Sequence, residues 1–286
     1  MEDHRRGSVE HVLTTDDGVE LRVLDDGSRD APTLLFVAGF GQGAESYRLQ
    51  AEGLSDRFRI VRFDARGVGR SQKPANGYRI GRFAQDLRNV VDQLELSDVV
   101  LIAHSMGCTV ALSYLESNPR GPVRALVLVD RPTSLVRIPG IRPSAPFTAD
   151  AVIARAASFI GPGRRDAITD FVKSMTRPEC PADELEPLVE ATLSMPDDAL
   201  VQLYLNSRFE AWDDLLPTIR IPTLVIGAAE SMIPVGAMRH TAELIPGSRF
   251  VVLGEPGRAS HFVFQDVPDA FNGLIARFSN DPSSPL

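Results

Sequence analysis

The chain has 286 residues, of which 43% are hydrophobic and 24% are charged, a composition typical of a folded globular protein with a sizeable core. Its 30 Lys and Arg residues against 38 Asp and Glu give a formal net charge of −8, which disfavours a nucleic-acid partner because such proteins present a basic face. Two cysteines are too few for a disulfide framework. No apolar run approaches the roughly 20 residues of a membrane-spanning helix. We therefore expect a cytoplasmic protein that has neither nucleic acid nor membrane as a partner, and the sequence indicates nothing about its oligomeric state.

Strands and helices alternate along most of the chain. Short runs rich in β-branched residues predict eight strands, at 9–14, 20–24, 33–38, 59–63, 99–103, 123–129, 223–226 and 249–253. Helical patterns predict helices at 44–54, 80–94, 106–117, 235–244 and 268–278. This alternation is typical of an α/β protein with a doubly wound, mostly parallel sheet, which an antiparallel hairpin opens here.

The alternation stops between residues 132 and 217. This stretch contains several prolines with helical pieces between them, but no convincing strand. We therefore predict a core formed by residues 9–131 and 218–279, and a helical cap inserted at residues 132–217.

The strongest chemical signal is a serine between the strand at 99–103 and the helix at 106–117. Ser105 has small residues two positions before and after it, Ala103 and Gly107. A sharp turn from strand to helix needs such small residues and raises the serine side chain above the sheet. Ser105 is therefore a candidate nucleophile.

A serine nucleophile needs a base, and the chain has five histidines. His4 and His11 lie near the N-terminus, away from the expected site, and His240 lies within a helical pattern. His104 directly precedes the serine, so we expect its side chain to point away. His261 lies in the loop between the last strand and the last helix, at the carboxyl edge where parallel sheets carry active groups. We predict that His261 is the base.

Two acids compete for the third position, which orients the imidazole. Asp130 follows the strand at 123–129, and Glu230 follows the strand at 223–226. Both give the chain order serine, acid, histidine. The sequence alone leaves the choice between them open.

These positions together resemble the alpha/beta-hydrolase fold family from about residue 9 to residue 278. The sequence VAGF at 37–40 is similar to that family's oxyanion loop, and DARGVGRS at 64–71 is similar to a structural loop of the family. The resemblance implies that the backbone N–H groups of Phe40 and Met106 stabilise an oxyanion. It also implies acyl transfer: Ser105 attacks a carbonyl, His261 carries the proton, and Asp130 or Glu230 orients His261.

The expected substrate is a small or medium organic ester, lactone or related carbonyl compound. No cofactor is needed for this chemistry, and no His and Cys residues have the spacing of metal ligands, so we expect no metal. Two other functions stay open. One is a non-hydrolytic enzyme of the same fold, a cofactor-independent dioxygenase or lyase that uses His261 and Asp130 while Ser105 only binds. The other is a ligand-binding pseudo-enzyme, which the presence of every triad residue in order disfavours.

Overall fold

The computed structural model describes residues 8–139, 145–255 and 257–282. Its strands are β1 Val9–Thr14, β2 Glu20–Asp26, β3 Thr33–Val37, β4 Arg59–Phe63, β5 Val99–His104, β6 Val123–Val129, β7 Thr223–Ala228 and β8 Arg249–Leu253. Its α-helices are α1 Arg48–Leu54, α2 Ile80–Gln93, α3 Met106–Ser117, α4 Ala149–Ser158, α5 Arg164–Lys173, α6 Ala182–Leu193, α7 Asp197–Phe209, α8 Val235–Leu244, α9 Val263–Asp266 and α10 Pro268–Asn280. Short 3₁₀ helices occupy Ala44–Tyr47 and Leu216–Thr218.

The eight strands form one sheet in the order β1-β2-β4-β3-β5-β6-β7-β8. β2 pairs antiparallel with β1 and β4, and all other neighbouring strands are parallel. The predicted α/β fold with a mostly parallel sheet and an opening hairpin is therefore confirmed. Every predicted strand boundary lies within two residues of the observed one.

The largest differences from the predicted elements have local causes. β2 continues through two aspartates beyond the predicted end at residue 24, and both pair with arginines of β4. Asp25 accepts two hydrogen bonds from Arg59, at 2.9 and 2.7 Å, and Asp26 accepts one from Arg62 at 3.1 Å. The helix predicted at 44–54 is instead a 3₁₀ turn followed by α1.

The central strands bring the predicted site residues to one edge of the sheet. Every residue of β3, β5 and β7 is buried, as expected for parallel strands that have helices on both faces. The carboxyl ends of these strands and of β6 lead directly into the loops that carry Gly39, Ser105, Asp130 and Glu230. Across the described ranges, each helix is too short or too polar to span a lipid bilayer.

The segment between β6 and β7, residues 132–217, contains α4 to α7. In its described part, 132–139 and 145–217, isolated β-bridges occur but no strand does. Its side chains contact the carboxyl edge of the core: the Phe40 ring lies 5.9 Å from Phe171 and 5.3 Å from Tyr204, and Gln42 donates a hydrogen bond to Thr192 at 3.1 Å. We call residues 132–217 the inserted segment. The division into core and cap stays a prediction.

Gly107 fixes how closely α3 can approach β3. A Cβ atom added at Gly107 would lie 2.8 Å from the carbonyl oxygen of Ala38 and closer still to that of Val37. Backbone atoms at these distances can give way only if the helix moves away from the strand. The glycine therefore sets the position of the first turn of α3, which follows Ser105 directly.

We predict that Gly107→Ala lowers the free energy of unfolding by about 1–3 kcal/mol, the usual cost of overpacking a well-packed interior. Gly236, in the first turn of α8, is the matched control because an added Cβ there meets no atom within 4 Å. Gly236→Ala is expected to leave stability unchanged or to raise it by up to about 1 kcal/mol, since alanine favours the helix. Urea titration of both variants measures the difference, and equal stabilities would contradict the close-contact interpretation.

Candidate active site

Ser105 occupies a strained turn between β5 and α3. Its backbone has φ 51° and ψ −122°, a region that residues other than glycine rarely adopt and that costs of order 1–3 kcal/mol. Its N–H group donates to the carbonyl oxygen of Val129 in the neighbouring strand at 2.9 Å. Strain of this kind persists only where the surrounding structure enforces it, and here the turn separates β5 from α3 at the carboxyl edge of the sheet.

Ser105, His261 and Asp130 form a continuous chain of hydrogen bonds. The Ser105 Oγ atom lies 2.8 Å from His261 Nε2, and His261 Nδ1 lies 2.7 Å from Asp130 Oδ2. All three residues are buried, with exposed fractions of 7%, 4% and 0%. Because a carboxylate accepts hydrogen bonds, we assign the imidazole proton to Nδ1, which leaves Nε2 free to accept the serine proton.

The Asp130 carboxylate receives donors from the next strand and its loop as well. Its Oδ1 atom accepts from the Ala228 N–H group at 3.4 Å, and its Oδ2 atom accepts from the Ser231 hydroxyl. The Asp130 backbone has φ 52°, and its N–H group donates to Ile226 at 2.8 Å. These contacts hold the carboxylate toward His261. Ser231 has no motif that could have indicated this role from the sequence.

Glu230 has a different position. Its carboxylate accepts from the N–H group of Gly257, and its own N–H group donates to Ala259 at 2.9 Å. Both contacts brace the loop that leads to His261. The structure thus places Asp130 on the imidazole and Glu230 on the backbone of the preceding residues.

His104 contacts both the backbone and the ring of His261. Its Nε2 atom lies 2.9 Å from the His261 carbonyl oxygen, and the two rings are 4.6 Å apart between centroids. Burial, followed by the neighbouring His261, holds the pKa of His104 well below its usual value, so the neutral ring donates from Nε2 to the carbonyl. The sequence excluded His104 as the base, and nothing in it indicated this anchoring role.

The inserted segment also contacts the histidine loop. The His261 N–H group donates to the carbonyl oxygen of Met175 at 3.1 Å. Asp266 Oδ2 accepts from both the N–H group and the hydroxyl of Ser260, at 2.7 and 2.6 Å, while its Oδ1 atom pairs with Arg177 at 2.8 Å. A chain of polar contacts therefore joins the inserted segment to the residue that precedes His261.

Both residues predicted to stabilise an oxyanion belong to segments next to the serine. Met106 is the first residue of α3, and Phe40 lies in the loop after β3. This loop is close to the serine, since a Cβ added at Gly39 would lie 3.2 Å from the Ser105 Cβ. Among the described residues, no group of three or more His, Cys, Asp and Glu side chains is placed to hold a metal ion.

A family model of the alpha/beta hydrolase fold matches residues 32–178, about half of the chain. The chain belongs to the alpha/beta-hydrolase fold family. The AB hydrolase superfamily protein YisY of Bacillus subtilis (strain 168) is 27% identical to it over 290 residues, which cover 94% of this chain and 99% of that protein. The bifunctional esterase/perhydrolase DCH of Acinetobacter calcoaceticus is 34% identical over 118 residues, 41% of this chain and 43% of that protein. The esterase EaEST from Exiguobacterium antarcticum shares the fold, with a TM-score of 0.86 at 24% identity over 96% of this chain and 100% of that chain.

In this alpha/beta-hydrolase, we predict that Asp266→Asn loosens the loop that carries His261. The change removes a charged acceptor from two Ser260 donors, and hydrogen bonds to charged groups contribute about 1.5–3 kcal/mol. Backbone hydrogen exchange at residues 260 and 261, measured by NMR, is therefore expected to become at least about tenfold faster. Asp269→Asn, an exposed acid in the first turn of α10, is the control. Equal exchange rates in the two variants would contradict a positioning role for Asp266.

Proposed function

We propose that the protein is a serine hydrolase of small or medium carboxylic esters or lactones, which acts through an acyl-enzyme. The observation that carries this proposal is the hydrogen-bond chain from Ser105 through His261 to Asp130. A nucleophile within hydrogen-bond distance of a base, itself oriented by a carboxylate, is the arrangement that acyl transfer requires. The esterase activity named for the Acinetobacter relative favours the same reaction class.

The first half of the proposed reaction forms the acyl-enzyme. The Ser105 Oγ atom attacks the carbonyl carbon while its proton moves to His261 Nε2, and the Asp130 carboxylate stabilises the resulting imidazolium. The N–H groups of Phe40 and Met106 stabilise the oxyanion, a contribution of about 2.7–4 kcal/mol per donor in comparable sites. The imidazolium then gives its proton to the leaving alkoxide as the bond from carbon to the leaving oxygen breaks.

The second half repeats these steps with water as the nucleophile. His261 takes a proton from the water as the hydroxyl oxygen bonds to the acyl carbon, and it returns that proton to Ser105 Oγ as the acid leaves. In a lactone the leaving oxygen stays attached to the acyl group, so the product is a single hydroxy acid. Asp130 remains a carboxylate throughout and keeps the imidazole in the required tautomer.

A second candidate is a non-hydrolytic reaction of the same fold, in which His261 and Asp130 act as a base pair and Ser105 only binds. The contact of Asp130 with His261 favours it, because the resemblance to cofactor-independent dioxygenases places their acid after this strand. The distance of 2.8 Å between Ser105 and His261 favours the hydrolase. Replacing the serine separates the two candidates.

We predict that a fluorophosphonate probe labels Ser105 in the wild type, and that Ser105→Ala removes both the label and ester turnover. Hydrolysis of 4-nitrophenyl acetate should fall by at least about 10³-fold, since only binding and the oxyanion donors remain. Ser117→Ala, an exposed serine at the end of the same helix, is the control. Mass spectrometry locates the label. Retained ester turnover in Ser105→Ala would contradict covalent catalysis by this serine, and a wild type that is neither labelled nor active on esters would favour the non-hydrolytic candidate or a pseudo-enzyme.

The two acids give a further prediction. Asp130→Asn should lower kcat by about 10⁴-fold, as in comparable triads, because the amide favours the wrong imidazole tautomer. Glu230→Gln should change kcat by less than about tenfold, since the residue braces the loop through Gly257 and does not act on the ring. The same ester assay on both purified variants decides between them. A large loss in Glu230→Gln with little in Asp130→Asn would reverse the assignment.

A further inference from the structure

Two buried arginines lie beside the site without a carboxylate partner. Arg131 directly follows Asp130, and Arg208 lies in α7; their exposed fractions are 4% and 5%. Arg131 donates to the carbonyl oxygen of Ser207, but the Nε atoms of both arginines lack hydrogen-bond partners. Among the described residues, no carboxylate oxygen lies within 4 Å of either guanidinium. A buried charge without a counter-ion is strongly unfavourable, so this pair needs an explanation.

The pKa values of both arginines are lowered, as expected for buried cations without a close counter-ion. Burial and the adjacent Arg208 lower the pKa of Arg131 to about 9, and burial lowers the pKa of Arg208. Burial also raises the pKa of the nearby Glu210 to about 7, although the charge of Arg131 opposes this rise. The Oε2 atom of Glu210 is buried and has no hydrogen-bond partner. The positive charge of the pair is therefore only weakly offset within the described residues.

Arg208 is one side chain away from the predicted oxyanion loop. The Arg208 guanidinium lies 4.7 Å from the ring centre of Tyr204 and 6.0 Å from that of Phe171. Both rings contact the ring of Phe40, at 5.3 and 5.9 Å. A cluster of aromatic rings thus connects Arg208 to Phe40 of the predicted oxyanion loop.

We propose that Arg131 and Arg208 bind a carboxylate of the substrate, so that the natural substrate is a half-ester or lactone of a dicarboxylic acid. This inference rests on the proposed function. The scissile carbonyl lies at Ser105, the methylene chain lies against the ring of Phe40, and the free carboxylate lies between the two guanidinium groups. Arginine suits this task because its planar donors match a carboxylate in pairs. A singly charged group fits better than a dianion, because Glu210 lies nearby.

The wild-type enzyme tests the proposal without any substitution. The substrates are the 4-nitrophenyl half-esters of glutaric and adipic acid, each compared with the same compound capped as its methyl ester. Each pair has one leaving group and one chain length, and differs only in the free carboxylate. We expect kcat/KM to be at least about tenfold higher for the better half-ester than for its capped form. A capped ester that reacts as fast as both half-esters, or faster, would overturn the inference while leaving the hydrolase proposal intact.

Substitution of the arginines then tests whether they cause the preference for a free carboxylate. Arg208→Gln and Arg131→Gln remove the charge and keep much of the side-chain volume, and each should lower the ratio between half-ester and capped ester toward one. Arg165→Gln is the control, because Arg165 is an exposed arginine of the same inserted segment and should keep the wild-type ratio. Circular dichroism confirms that the compared variants are folded. An unchanged ratio in both folded variants would overturn the assignment to these arginines.

Binding provides a measurement that does not depend on turnover. Monomethyl adipate and dimethyl adipate are titrated by calorimetry into Ser105→Ala, which cannot form an acyl-enzyme. We expect the monoanion to bind at least about tenfold more tightly than the neutral diester, and sodium chloride to weaken only the monoanion. If the wild type hydrolyses no ester yet this preference is present, the proposed function fails while the anion site stands. Equal affinities would overturn the anion site.

Discussion

The imidazole of His261 is the group on which the rest of the site depends, because separate segments of the chain hold it in place. Its ring contacts Ser105 at the turn after β5 and Asp130 after β6, at 2.8 and 2.7 Å. Its backbone carbonyl lies 2.9 Å from His104, and its N–H group donates to Met175 of the inserted segment. A histidine held by contacts of both its imidazole and its backbone loses little further freedom when a reaction begins. Pre-organisation of this kind lowers the barrier to proton transfer.

The order of the strands explains why Asp130 reaches this ring. β6 lies directly beside β5, with His104 opposite Val129, so the next residue of each strand, Ser105 and Asp130, leaves the sheet side by side. Both residues have positive φ, 51° and 52°, which turns each chain sharply at the same level. Glu230 follows β7, one strand further from the serine. Neighbouring strands thus supply the proposed nucleophile and the proposed acid, and the loop after β8 supplies the histidine.

Much of the fold, and the positions of Ser105 and His261 within it, were predictable from the sequence, because the patterns that indicate them are local. The strand before Ser105 and the helix after it define the turn, and His261 follows from its place after the last strand. The contact of Asp130, rather than Glu230, with the imidazole was not predictable, since it depends on strand order and side-chain reach, neither of which spacing along the chain reveals. The contacts of His104 and Asp266 join residues that are more than 150 positions apart or that carry no motif. Such roles appear only when the backbone is folded.

Burial acts differently on the negative and positive groups of the site. The fully buried Asp130 carboxylate is balanced within the chain by donors from His261, Ala228 and Ser231, and low polarity strengthens each of these hydrogen bonds. Arg131 and Arg208 share the same low polarity without a carboxylate among the described residues at ion-pair distance. The same exclusion of water that strengthens the hydrogen bonds of Asp130 therefore makes the buried charges of the two arginines costly. In the proposed complex, a substrate carboxylate removes that cost on binding, so the unbalanced charge would become a source of selectivity.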